Sequence, residues 1–426
     1  MLTKRKLLEY GKAMGLNRAE TWEELLLKII DRASLTKAQY EKIEARYQEL
    51  GRIIDTSSDP ILQGAIISPQ GSFLTRTVIR SPNGEIDADA IAWLPNAPTD
   101  KPMTVLDTVH REVSERTRTQ RKVELKKRCI RVQYADENPT FHIDLTPARN
   151  AENNQAKDGS GQLVVPDRPT RGWKNSYPKG FAAWLDAIAN MRIDVLFEAR
   201  ALAKAEGVED LPSHEEITAF DPLRGAIKLM KVHRDLYFDG GEVVSDMKPI
   251  SVLLTTLAGK AYQRVVAESK GKSMTPLAAL RRIIELMPYC FDKTPSNGGR
   301  WMLRNPVDNG IVPENFAERW NEKPHLAQAF ADLHTDLIDA VDLGLVNFPE
   351  MDEFEGELTK AFGRGTVVLA RESYDEAVRL GREPAGLSAV GYHRHRSRSA
   401  TSKVFGQDVV APRKKPQEPG SLDRLG

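Results

Sequence analysis

Asp87 and Asp89 stand two residues apart in the stretch GEIDADAIAWLP, and Asp144 lies in a second apolar stretch, FHIDLTPAR. In a β-strand, side chains at i and i+2 leave on the same face, about 6.6–6.8 Å apart along the strand. Asp87 and Asp89 are therefore expected to point together into one site, with Asp144 completing an acidic triad from a neighbouring strand. Three crowded carboxylates resist joint ionisation unless cations neutralise them. Hard divalent cations such as Mg²⁺ choose oxygen ligands and keep positions open for phosphate. Two such ions, roughly 3.5–4 Å apart, suit nucleotidyl transfer. One lowers the pKa of an attacking hydroxyl and the other steadies charge on the phosphates. The plain alternative is three unrelated surface carboxylates. Against it, Asp87 and Asp89 open the apolar run 90–94, and Asp144 is flanked by Phe141, Ile143 and Leu145. Carboxylates on strands this apolar need a partner or a metal.

Gly71-Ser72 precedes Asp87 by 16 residues. Glycine lets a backbone approach phosphate, backbone amides near a helix start favour anions, and the serine hydroxyl adds a hydrogen bond. Taken alone, Gly-Ser is usually a plain turn. Lys231 sits in AIKLMKVHRD, where Ile227, Leu229 and Met230 would bury much of its stem. A lysine there suits phosphate as a point charge. Lys228 is the competing register, and a solvated lysine on an amphipathic helix is the bland reading. Strand alternation is read as turning His142 away from the Asp144 face, which argues against a catalytic role for it. His233 reads as structural.

The elements that must position these residues are legible in outline. Residues 1–33 read as one or two short helices. Ser34-Leu35-Thr36 offers an N-cap to a helix carrying Tyr40, Ile43, Tyr47 and Leu50 at helical spacing. Ser81-Pro82-Asn83-Gly84 is a turn signal before a strand over 86–94. Residues 103–127 read as helical, 128–135 and 140–146 as two strands, and the Gly/Pro-rich stretch 149–172 as a loop between lobes. From 173 onward helical patterns dominate, over 181–205, 222–236, 249–267, 274–288, 314–344 and 351–382. The segment 383–426 loses periodicity and reads as a flexible tail. No internal repeat is visible.

The 426 residues suggest two or three domains with a sizeable core. A content of 40% hydrophobic and 28% charged residues is ordinary for a soluble protein. No apolar run reaches about 18 residues, so no membrane span is expected, and the N-terminus lacks the apolar core of a secretory signal. Two cysteines, Cys129 and Cys290, fit a reducing cytoplasm rather than a disulfide framework. The net charge of +1 argues for a small-molecule substrate over long nucleic acid. The eight histidines and two cysteines form no zinc spacing.

Together these residues resemble the polymerase-β-type nucleotidyltransferases. Within them they are similar to the cGAS/DncV-like nucleotidyltransferases (CD-NTases) of bacterial CBASS anti-phage systems, with oligoadenylate synthases sharing the core. The resemblance runs over about residues 36–345. Beyond the triad it rests on Trp173, Ser176-Tyr177-Pro178-Lys179-Gly180-Phe181 and Trp184, the AIKLMKVHRD helix, Lys248-Pro249-Ile250-Ser251, Asn305-Pro306 and the segment from Glu314 to Trp320.

The resemblance implies an α+β, bilobed fold. A mixed sheet with a long spine helix would fill residues 36–172, after N-terminal helices over 1–35. A helical lobe would follow over 173–382 and a disordered tail over 383–426. It implies Asp87, Asp89 and Asp144 as catalytic metal ligands, with Gly71, Ser72, Lys231 and Ser251 at the triphosphate. Tyr177 and Trp173 either stack a base or pack the lobes together. The implied activity is synthesis of a cyclic oligonucleotide second messenger from NTPs, ATP among them, with two Mg²⁺ ions or Mn²⁺. A linear, oligoadenylate-like product and a nucleotide-binding regulator without turnover are the alternatives. The lack of a zinc insertion like that of cGAS argues against DNA activation. The soluble product would act on a downstream effector. An E1/E2-like conjugating partner, joining a terminal residue to a target amine, makes Gly426 a candidate conjugation site.

Overall fold

The computed structural model describes residues 4–81, 85–117, 121–135, 137, 140–192, 214–215, 221–238, 246–269, 274–308, 310, 313–348 and 350–386. Gly426 and nearly all of the expected tail lie outside the described residues, as do residues 193–205 of the first helix expected after 173.

The first described element is a single long helix, α1 (Lys4–Ala33), where one or two short ones were expected. Trp22, Leu25, Leu26, Ile29 and Ile30 form its buried stripe. Helix α2 (Lys37–Asp55) starts where the cap signal predicts. Thr36 accepts from the Gln39 amide and the Gln39 side chain returns the bond, a reciprocal capping box. Tyr40, Ile43, Tyr47 and Leu50 are buried on it, as their spacing requires.

A mixed seven-stranded sheet follows: β1 (Ile66–Gln70), β2 (Ile86–Trp93), β3 (Val123–Leu125), β4 (Ile130–Tyr134), β5 (Phe141–Asn150), β6 (Leu163–Asp167) and β7 (Gly172–Ser176). The central order is β1-β2-β5-β4-β3, with β6 joined to the end of β5 and β7 joined to β6. Strands β2 and β5 run parallel and the other pairs antiparallel. Between β1 and β2 lies the four-residue helix α3 (Gly71–Leu74). Helix α4 (Pro102–Arg116) ends earlier than its charge pattern suggests. Its apolar stripe, Val105, Leu106, Val109 and Val113, stops there, and 123–125 pair with β4 instead. The expected inter-lobe loop over 149–172 is also corrected: β5 runs on to Asn150 and β6 occupies 163–167. All of β6 is buried, so it shows no two-residue alternation to read.

The remaining helices are α5 (Pro178–Ala189), α6 (Pro222–Tyr237), α7 (Ser251–Ser269), α8 (Pro276–Leu286), α9 (Glu318–Glu322), α10 (His325–Val341), α11 (Met351–Phe362) and α12 (Thr366–Arg379). Proline opens α4, α5, α6 and α8, where its missing N–H costs no helical bond. The single patterns over 314–344 and 351–382 are each divided. Pro324 separates α9 from α10, and Gly363, at φ +90°, ends α11. Two large hydrophobic cores result among the described residues, beside two small clusters. One joins α2, α4 and the sheet; the other joins α1 to the later helices around α6, which is buried from Leu223 to Arg234.

Candidate active site

Strand pairing sets the site. Parallel register places Asp87 beside His142 and Asp89 beside Asp144. Ile86, Ala88 and Ala90 are buried in the core behind β2, so Asp87 and Asp89 leave on the other face. The Asp87, His142 and Asp144 ligand atoms lie within 4.8 Å of one another.

His142 corrects the alternation reading. Residues 142 and 144 are i and i+2, so their side chains share a face. The ring is 5% exposed, its Nε2 lies 2.7 Å from Asp87 Oδ1, and its Nδ1 lies 3.1 Å from Glu85 Oε1.

Asp144 is held from the other side. Arg131, its partner across the β4–β5 hairpin, donates Nε to Oδ1 and Nη2 to Oδ2, each at 2.7 Å. A planar guanidinium fork of this kind fixes a carboxylate in orientation as well as position.

The electrostatics follow from crowding. Burial, then the charges of Asp87 and Asp144, push the Asp89 carboxyl up to about 7. Burial also works to raise Asp87, but His142 outweighs it, helped by the charges of Arg131 and Lys231, and holds Asp87 below the usual aspartate value. For His142, burial works downward and Asp87 outweighs it, leaving the imidazole raised.

Gly71 begins α3 at φ +58°, and a Cβ there would lie 2.1 Å from Asp89 Oδ2. The residue must be glycine for both reasons. Across the cleft, Lys231 Nζ donates to the Thr77 carbonyl at 2.9 Å and to its hydroxyl at 3.1 Å. Burial, reinforced by the charge of Arg234, brings Lys231 down to about 7. Lys228 points elsewhere and donates to Ser34 Oγ at 3.0 Å. Ser251 heads α7 and accepts from Arg234 Nη1 at 2.9 Å.

A cavity of about 610 Å³ joins these groups. It is lined by Gly71, Ser72, Asp87, Asp89, Lys231 and Ser251, so six of the expected site residues face one space, and Asp144 lies outside this lining with its carboxylate within 4.8 Å of the Asp87 and His142 ligand atoms. The lining also includes Tyr177, Phe181, Asn305, Glu314 and Phe316. Tyr177 donates to Asp308 Oδ1 at 2.6 Å. Trp173 instead packs against the sheet core and donates to the Thr99 carbonyl at 2.7 Å. Glu85 and Arg131 carry no motif of their own. Arg131 was traceable only through hairpin register, since 131 and 144 are equidistant from the turn.

Residues 21–188 match the family model described as a Second Messenger Oligonucleotide or Dinucleotide Synthetase (SMODS) domain. The chain is 28% identical to the c-di-GMP synthase of Roseivirga ehrenbergii over 323 residues, covering 74% of this chain and 77% of the relative. Its fold superposes on the Bradyrhizobium diazoefficiens CD-NTase CdnG, solved in complex with GTP, with a TM-score of 0.60 and 20% identity. That likeness covers 83% of this chain and 98% of the other. The mixed sheet and the acidic cluster at its parallel strands agree with these likenesses: residues 21–188 are similar to a SMODS domain, and the fold is that of the CD-NTase CdnG.

Proposed function

We propose that the chain joins nucleoside triphosphates into a cyclic oligonucleotide second messenger, releasing pyrophosphate, in anti-phage signalling. The carrying observation is the convergence of Asp87, Asp89, Lys231, Ser251 and the Gly71-Ser72 turn on one cavity. On this reading residues 36–172 supply the chemistry and residues 173–382 close over the substrate.

The donor set fits a hard divalent cation. Carboxylate oxygens and one imidazole nitrogen converge within 4.8 Å, and a carboxyl displaced to about 7 by burial and then by its like-charged neighbours is one that a cation would relieve. Asp87, Asp89 and Asp144 would hold the metal, Mg²⁺ or Mn²⁺. When bound, it would supply Lewis-acid stabilisation of charge on phosphate and on the attacking ribose hydroxyl.

The residues of the chain do the rest. The Gly71-Ser72 turn and Ser251 hydrogen-bond the triphosphate, and Lys231 sets a positive charge beside it. Arg131 keeps the Asp144 carboxylate in one plane. Tyr177 and Phe181 line the cavity and offer rings to a base, where stacking contributes roughly 1–3 kcal/mol per base.

The test is direct. Full-length protein is incubated with all four NTPs and Mg²⁺ or Mn²⁺, pyrophosphate is measured, and products are identified by mass spectrometry. A cyclic product that disappears in Asp87→Ala and Asp89→Ala is the expected result. A linear product, or no pyrophosphate from the wild type, overturns the reading.

A further inference from the structure

The geometry points to His142 as a metal ligand through Nε2, with Glu85 as its orienting group, which gives the site a preference for Mn²⁺ over Mg²⁺. The inference rests on the metal-dependent reading above and adds a nitrogen ligand to it.

Three observations carry it. First, register on β2 and β5 sets His142 directly beside Asp87 and two residues before Asp144, so imidazole and carboxylates face one point. Second, Nδ1 already faces a carboxylate, Glu85 Oε1 at 3.1 Å. Metal-bound histidines almost always give their second ring N–H to such a group, which fixes the tautomer and leaves the other nitrogen's lone pair for the ion. Third, Nε2 is the atom turned into the cluster. It lies 2.7 Å from Asp87 Oδ1, is buried, and makes no hydrogen bond of ordinary geometry among the described residues. A buried polar atom in that state is incomplete without a further partner, and an ion between Nε2 and the carboxylates completes it.

The ligand type sets the preference. Mg²⁺ demands oxygen ligands in near-ideal octahedral geometry, whereas imidazole suits first-row transition ions. Mn²⁺ accepts carboxylates, water and nitrogen together. An all-carboxylate site has less of this bias.

The test uses full-length protein loaded with Mn²⁺ and no nucleotide. Pulsed electron paramagnetic resonance reads nitrogen coupled to the bound ion. The wild type is expected to show a ¹⁴N modulation that changes to the ¹⁵N pattern when histidine alone is isotope-labelled, and that vanishes in His142→Gln. In competition, the Mn²⁺-over-Mg²⁺ preference is expected to fall about tenfold or more in His142→Gln and by less in Glu85→Gln. Bound Mn²⁺ without nitrogen modulation in the wild type, or modulation that persists in His142→Gln, overturns the inference and leaves the proposed function standing. A wild type that binds no Mn²⁺ overturns both. The wild-type spectrum decides the matter even if a variant folds poorly.

Discussion

Arg131 and Asp144 face each other across the β4–β5 hairpin as a two-pronged ion pair, with both contacts at 2.7 Å. The carboxylate has about four lone-pair positions, and the fork occupies two of them. The rest remain available to a cation, in an orientation that Arg131 dictates. Arg131→Lys keeps the charge but loses the fork. It is expected to lower kcat about ten- to hundred-fold, the range set by misplacing a reacting group, with KM for NTP changed by less. Steady-state pyrophosphate release against NTP concentration checks this. A variant with unchanged kcat would make the pair purely structural.

Gly71 and Asp89 share one volume: the space of an added methyl at Gly71 lies 2.1 Å from Asp89 Oδ2. Gly71→Ala therefore displaces a site carboxylate. It also forces alanine into a left-handed backbone at φ +58°, which costs roughly 1–2 kcal/mol. Loss of more than about a hundred-fold in activity is expected, together with a lowered melting temperature. Thermal unfolding and pyrophosphate assays separate the two effects.

The displaced Asp89 carboxyl gives a pH dependence with a defined sign. Its ordinary value is 3.8 and in the fold it lies at about 7. Between these values the folded chain holds a proton that the unfolded chain has lost. In the metal-free protein this group therefore makes stability fall as pH rises through that window. A bound cation favours the ionised carboxylate and removes that penalty. Metal affinity should accordingly rise about tenfold per pH unit below about 7 and level off above it. Mn²⁺-induced stabilisation, read as a shift in melting temperature, is expected to be larger near neutral pH than at about pH 5.5. Asp89→Asn should remove the carboxyl's share of this pH dependence and leave the share from His142, whose raised imidazole must also give up its proton to the ion.

Much of this site was legible because β-strand geometry is simple. The spacing of Asp87 and Asp89, with apolar residues after them, predicts a strand with two carboxylates on one face, and β2 has that form. The same rule, counted correctly, also brings in His142. Arg131 needed a register that only the completed hairpin defines. Lys231 and Lys228 lie on one turn of a helix buried from Leu223 to Arg234. Periodicity cannot separate them, because burial on every side erases the amphipathic signal. Strand β6 was hidden for the same reason.

Asp186 ties the turn over residues 71–77 to the helical core. Its carboxylate accepts from Arg76 Nη2 at 2.5 Å and from Arg224 on α6. Arg224 also donates Nε to the Thr75 carbonyl at 3.0 Å. Arg76 itself sits at φ +57°, a left-handed position unusual for arginine, so the segment 71–77 needs these ties to hold its shape. Arg224 is 5% exposed and keeps Asp221 as a second partner at 2.7 Å. Asp186→Asn preserves the side-chain outline but removes the charge between two guanidinium groups. It is expected to cost about 1–3 kcal/mol of stability. Because Ser72 rides on the loosened turn, KM for NTP should rise several-fold while kcat changes less. Arg76→Ala cuts the tether on the turn side and leaves the Arg224 pairs in place. It should reproduce the rise in KM with a smaller stability loss. If both variants lose stability while KM stays at the wild-type value, Asp186 braces the lobes without positioning the turn.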